Sequence, residues 1–233
     1  RKASTYRPWS GTGAVPEAEG GWSGVVAPSA SAFADNYPSP REMSAHDIAA
    51  VVQAFADAAT RALAAGFRVV EIHAAHGYLI HEFLSPLSNS RSDGYGGSFE
   101  NRTRLLREIA AAVRAVWPAH LPLFTRLSAT DWTDGGWDIE QSVEAARQLK
   151  ALGVDFIDCS SGGNVATAKI PVGPGYQVPF AARIRKDAGI LTGAVGLITE
   201  PAQAEQIVAD GHADAVLIAQ QFARDQDSVR VSV

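Results

Sequence analysis

The chain has 233 residues, 46% hydrophobic and 19% charged, with net charge −5 and a pI near 5.7. This suits one soluble globular unit with a sizeable core and leaves no basic footprint for nucleic acid. A single cysteine, Cys159, excludes an intrachain disulfide, and no apolar run reaches the ~18 residues of a membrane span. With no signal-peptide pattern in RKASTYRPW, the expectation is a cytoplasmic protein that avoids membranes.

Residues 1–40 are rich in Gly, Pro, Ser and Trp without a period. They read as an ordered irregular excursion in which Trp9, Trp22, Val25, Val26 and Phe33 need packing partners. Ser44 with Asp47 forms a capping-box pattern, and Ile48, Val51, Val52 and Phe55 open a helical period that closes at Gly66. An apolar strand is expected over residues 67–72, then a long loop and a helix over 99–116. Further strands are expected over 122–128, 154–160, from 190 and over 213–219. Between them lie helices over 139–152, 178–188 and from Pro201 to about 210.

Strictly alternating, continuously apolar strands imply a parallel α/β sheet buried on both faces. The loops after the strands are long and glycine-rich and those before them short, which suits a (β/α) barrel with its site at the strand C-termini. A doubly wound sheet is the rival, but it would need a switch point that the sequence does not locate. Only five strands are found, whereas a barrel closes with eight. Residues 1–225 therefore read as about five β/α units of a TIM barrel, with 226–233 as an atypical tail and two edges left for another segment to cover.

The stretch EIHAAHGYLIHEF, residues 71–83, gathers three of the six histidines: His73, His76 and His81. In a strand, positions three apart face opposite ways, so His73 and His76 converge only if the chain turns after Ile72. Ala74, Ala75 and Gly77 permit that turn. The group could be a polar rim, or a metal site with Glu71, His81, Glu82 or Asp93. It could also be a pair of neutral donors gripping a substrate oxygen, with Tyr78 as proton donor. Arg126, inside the strand LFTRL, needs a partner such as Asp131 or Asp158, or serves as a fixed charge facing a delocalised anion. The small-residue loops at Ser160–Gly163 and Gly193–Gly196 expose backbone N–H groups suited to phosphate. Cys159 reads as a small buried residue rather than a nucleophile.

The stretches EIHAAHGYLIHEFLSPLSNSRSDGYGGSFENR (71–102), RLSATDW (126–132), DFIDCSSGG (155–163), PGYQVPFAARIR (174–185) and TGAVGLIT (192–199) together resemble the Old Yellow Enzyme family. These are FMN-dependent ene-reductases on a (β/α)8 barrel, and the likeness is to the bacterial, thermophilic-like branch. The resemblance implies FMN reduced by NADPH or NADH, hydride transfer from flavin N5 to an activated alkene, and no metal. It assigns His73 and His76 to the substrate's carbonyl or nitro oxygen and Tyr78 to proton donation. Arg126 goes to the flavin N1/C2=O edge, and Ser160, Gly193 and Gly196 to the phosphate end; His81 receives no catalytic role. RKAS resembles the sequence just after the family's third strand, so the units present are strands four to eight. Ala219 and Gln220 stand where the family carries Gly-Arg, with the arginine on the phosphate. Loss of that contact costs ~1.5–3 kcal/mol, about one to two decades of affinity, so these 233 residues alone are expected to hold FMN weakly or not at all. The alternatives are a non-catalytic fragment that pairs with another chain, either a copy of itself or a complementary barrel segment, and a metal-dependent barrel hydrolase.

Overall fold

A computed structural model describes residues 1–6 and 10–218; Trp9, Ala219, Gln220 and the 226–233 tail lie outside the described residues. The described N-terminal residues are irregular, as expected, apart from one 3-10 turn, an isolated antiparallel bridge between Thr5 and Ala14, and a two-residue parallel pairing of β1 (Val26–Ala27) with β2 (Arg41–Glu42). Val25 and Ala27 are buried, but Trp22 stays exposed: its backbone N–H is held by Ser4 Oγ at 2.7 Å and its ring finds no core.

Helix α1 (Ala45–Ala64) starts at the expected capping box, with Ser44 Oγ accepting the Asp47 N–H and the Asp47 carboxylate accepting the Ser44 N–H. Strand β3 (Val70–Ala74) begins three residues later than the apolar run suggested. Pairing starts where Val70 meets Leu123, which leaves Phe67 outside the sheet and 62% exposed. His73 consequently lies within the strand. A short helix, α2 (Leu79–Leu84), occupies part of the expected loop and buries Ile80, Phe83 and Leu84. The next helix is split into α3 (Phe99–Arg102) and α4 (Arg104–Val116). At the break, Thr103 Oγ1 donates back to the Phe99 carbonyl at 2.9 Å, a bond that competes with the helical ladder. Then follow β4 (Leu123–Ser128), α5 (Ile139–Ala151), β5 (Phe156–Ser160), α6 (Val178–Ala188), β6 (Leu191–Ala194), α7 (Pro201–Ala209) and β7 (Ala215–Val216).

The five strands pair in parallel in the order β3-β4-β5-β6-β7. Among the described residues spatial order equals chain order, with no switch point, and the sheet is an arc of a (β/α) barrel rather than a doubly wound sheet. Alternate residues, among them Ile72, Leu127, Ile157 and Ala194, bury against the helices and form the core. The other face looks into the barrel interior in two registered rows, Glu71-Phe124-Phe156-Leu191 and His73-Arg126-Asp158-Gly193. Contrary to the expectation of two buried faces, this inner face is partly open, with Leu191 55% exposed. Five strands do not close around it.

Candidate active site

The site is built at the C-terminal end of β3. His73 points inward from the strand. After Ala75, two consecutive residues take left-handed conformations, His76 at φ +60° and Gly77 at φ +66°. This turn swings the His76 ring back beside His73, with centroids 5.1 Å apart, and sets the Tyr78 ring 5.6 Å from that of His73. His73 and His76 thus converge through a turn, as their spacing required, but the turn follows Ala75 instead of coming directly after Ile72.

Neighbouring strand ends hold the turn. The His76 N–H donates to Ser128 Oγ at 2.9 Å, and Ser128 Oγ donates to the Gly162 carbonyl at 2.9 Å. Lys2 Nζ donates to the His76 carbonyl and, at 2.7 Å, to that of Gly163, and lies 4.8 Å above the Tyr78 ring. Burial brings the Lys2 amine down to about 8, with Glu82 opposing and Arg1 reinforcing the change. The contributions of Lys2 and Ser128 were not legible in the sequence. Lys2 is 74 residues from His76, and Ser128 only looks like the end of a strand.

Both imidazoles are shifted toward the neutral form. Burial first, then the nearby Arg126 charge, lowers His73 and takes His76 down to about 3. His76 Nε2 lies 2.6 Å from Ser160 Oγ. The next acceptor for that hydroxyl, Gln177 Oε1, is 3.4 Å away and already receives Ser161 Oγ at 2.6 Å. The Ser160 proton is therefore best placed on the bond to Nε2, which leaves His76 Nδ1–H as the free donor.

Arg126 finds its partner in Asp158, with Nε–Oδ2 at 3.0 Å; Asp131, the other candidate, pairs with His81 instead. Asp158 is fully buried and Arg126 is 27% exposed on the inner face. Burial pushes Asp158 up from 3.8 to about 6, against the pull of Arg126, and Glu71 rises to about 7 through burial and then Asp158. The folded chain thus keeps an Asp158 proton that the unfolded chain has released. Stability from this group is full below pH 3.8 and is lost as pH rises through about 6. Asp158→Asn removes the titration, so in urea unfolding its stability relative to the parent should rise between ~pH 4 and ~pH 7.

Ser160 and Gly196 meet at one side chain, Gln177, whose Nε2 donates to the Val195 carbonyl at 3.2 Å. A Cβ at Gly196 would lie 2.7 Å from Gln177 Nε2, and one at Gly193 2.4 Å from Leu217 Cδ1. A side chain at either position would therefore displace a neighbouring side chain. Cys159 is buried and inert, as expected: its thiol is pushed up by burial and then by Asp158. His81 does not join the other two histidines. Its Nδ1 accepts the Gly77 N–H and its Nε2 faces Asp131, so no lone pair remains for an ion shared with His73 and His76. Asp93, another proposed ligand, is paired with Arg91. Among the described residues, no three His, Cys, Asp or Glu side chains cluster so as to hold a metal, and no helix is long and apolar enough to cross a membrane.

An arc of a (β/α) barrel thus carries paired imidazoles, a phenol and an inward arginine toward its strand C-termini, the residue set on which the sequence resemblance rested. Residues 13–231 match the sequence model of the NADH:flavin oxidoreductase / NADH oxidase family, and the chain belongs to that family. It is 55% identical over 201 residues to an NADPH dehydrogenase of Bacillus subtilis, covering 86% of this chain and 59% of that protein. It is 53% identical over 201 residues to an NADPH dehydrogenase of Geobacillus thermodenitrificans, covering 86% and 58%. The chain thus spans a little under three-fifths of the length of these curated relatives. An old yellow enzyme homologue from Zymomonas mobilis superposes with TM-score 0.74 at 30% identity, covering 89% of this chain and 60% of that one. Morphinone reductase in complex with tetrahydroNAD gives 0.68 at 27% identity, covering 84% and 55%.

Proposed function

We propose that this chain carries the substrate-activating part of an FMN-dependent, NADPH- or NADH-driven oxidoreductase that reduces activated C=C bonds of enones and nitroalkenes. The observation that carries this reading is the pair of neutral imidazoles beside Tyr78, in the same strand-end layer as Arg126. FMN, when bound, supplies the hydride. His73 and His76 each offer an N–H to the carbonyl or nitro oxygen, where negative charge builds as the alkene is reduced. Because both rings are neutral, they act as hydrogen-bond donors and do not compete for a proton. Tyr78, exposed at the mouth of the site, donates a proton to the α-carbon.

The residues present fit a flavin in part. Among the described residues, the contact of Arg126 Nε with Asp158 is the only charge pairing of that guanidinium, so its remaining N–H groups suit an anionic pyrimidine edge. Gly196 at φ +114° and Leu197 at φ +49° turn the backbone where a phosphate would sit, whereas the Ser160 hydroxyl already donates to His76 Nε2 and Gly193 is buried in the sheet. The localisation that suits this chemistry is the cytoplasm, where a nicotinamide donor is present.

A second feature belongs to the same reading. Strand β3 is an edge, and beside it a groove of about 330 Å³ is lined by Phe55, Ala58, Phe67 and Val70, which favours a complementary barrel segment against this edge. Turnover is best read on the chain supplemented with the N-terminal part of the Bacillus subtilis relative and saturated with FMN. With NADPH and 2-cyclohexenone, Tyr78→Phe should slow alkene reduction ~10²-fold and leave flavin reduction by NADPH within a factor of ~3. Equal loss in both half-reactions would refute the proton-donor role.

A further inference from the structure

His81 is fully buried, with Nδ1 hydrogen-bonded and Nε2 facing a carboxylate. Nδ1 lies 2.9 Å from the Gly77 backbone nitrogen. An amide N–H only donates, so Nδ1 must be bare and the ring proton must sit on Nε2. Nε2 in turn lies 3.0 Å from Asp131 Oδ1, close but off the line of a straight hydrogen bond. Asp131 is also fully buried, on the loop after β4. Its other oxygen accepts Ser85 Oγ at 2.5 Å and the Trp137 N–H at 2.9 Å, which leaves Oδ1 facing the imidazole.

What this relay grips is the least relaxed backbone of the site. His76 is a non-glycine residue at φ +60°, followed directly by Gly77 at φ +66°. Conformations of this kind persist only where the surroundings over-determine them. Among the described residues, the Gly77 N–H has His81 as its hydrogen-bond partner, and Gly77 joins the two side chains that face substrate.

We propose that Asp131 and His81 are positioning residues: the carboxylate fixes the imidazole tautomer, and bare Nδ1 pins the Gly77 amide, which aims His76 and Tyr78. The inference rests on the proposed role of that pair in gripping and protonating substrate, but two of its readouts need neither substrate nor flavin.

The test uses the ¹⁵N-labelled 233-residue chain. Long-range ¹⁵N–¹H spectra should place the His81 proton on Nε2 and show a scalar coupling across the Gly77 N–H···Nδ1 bond. His81→Asn keeps an acceptor at the Nδ1 position, so Gly77 should stay protected from solvent exchange. His81→Gln places its amide at the Nε2 position, and Gly77 should lose protection. Asp131→Asn keeps an oxygen for Trp137 and Ser85 but turns an NH₂ toward Nε2, so the ring proton should move to Nδ1 and the Gly77 bond should break. In the FMN-saturated, barrel-completed protein, His81→Gln and Asp131→Asn should lower kcat/KM for 2-cyclohexenone ~10²-fold, and His81→Asn less than ~10-fold. Flavin reduction by NADPH should be unchanged in all three. Remaining amide dispersion reports whether each variant folds. A wild-type His81 proton on Nδ1 would overturn the proposal, as would equal Gly77 protection in His81→Asn and His81→Gln, or lost protection with unchanged turnover. A parent protein that fails to reduce the enone while the tautomer and exchange results hold would instead count against the proposed reaction.

Discussion

Replacing His73 and His76 together with alanine should lower kcat/KM for enone reduction ~10³-fold in the FMN-saturated, barrel-completed protein, while flavin reduction by NADPH changes by less than ~3-fold. The magnitude follows from the role: removing one donor aimed at a developing oxyanion costs ~10²–10³ in rate, and paired donors on one oxygen are not additive. The asymmetry between half-reactions is the sharper part, because a collapsed site would impair both. Ser160→Ala offers a graded version. It removes the hydroxyl 2.6 Å from His76 Nε2, which frees the ring to change tautomer but leaves both imidazoles in place. Stopped-flow measurement of each half-reaction separates these outcomes. A double variant that keeps wild-type alkene reduction would remove the imidazoles from the mechanism.

Gly77→Ala should be the most damaging single methyl group near the site. A Cβ there would lie 2.2 Å from the Gly163 carbonyl oxygen and 2.7 Å from the Asn164 Cα, both backbone atoms, and φ is +66°. Neither clash can be relieved by rotating a side chain. Strain and overlap together should cost roughly 2–4 kcal/mol, which in a domain of this size lowers the melting temperature by ~5–15 °C. Thermal unfolding by circular dichroism reads this directly. Gly97→Ala is the comparison: it also has positive φ, +77°, but its Cβ meets nothing within 4 Å, so it should cost only about 1 kcal/mol. Equal losses in the two variants would show that backbone conformation, not the Gly77–Gly163 contact, dominates.

Much of this architecture was legible because the physics is local. The Ser44–Asp47 box starts α1 where expected, and α6 spans Val178–Ala188 as its pattern indicates. The strand count followed from alternation, and the barrel arc from long loops after short strands. What was not legible depends on partners distant in the chain. β3 starts at Val70 because its neighbour starts at Leu123, a fact absent from the apolar run itself. Helix α2 was hidden because six residues give too few turns for a period. At the site, local reading picked out His73, His76, Tyr78 and Arg126 as candidates. It did not place Asp131 on His81 or Lys2 on the turn, since those contacts are set by strand ends that meet only in the barrel. Arg126 could be assigned a buried acid but not a specific one; the β4–β5 register puts Asp158 directly opposite it.

The inner face stays partly open at Leu191, one strand row below His73 and Arg126. On the proposed function, the substrate-activating face is present on an arc of barrel that does not by itself enclose the cofactor. Fluorescence titration of FMN into the 233-residue chain, alone and with the N-terminal part of the Bacillus subtilis relative added, tests this most directly. Half-saturation weaker than ~10 µM is expected for the chain alone, tightening at least ~10²-fold when the added segment covers the β3 edge. A chain that purifies yellow on its own and reduces 2-cyclohexenone with NADPH would contradict it.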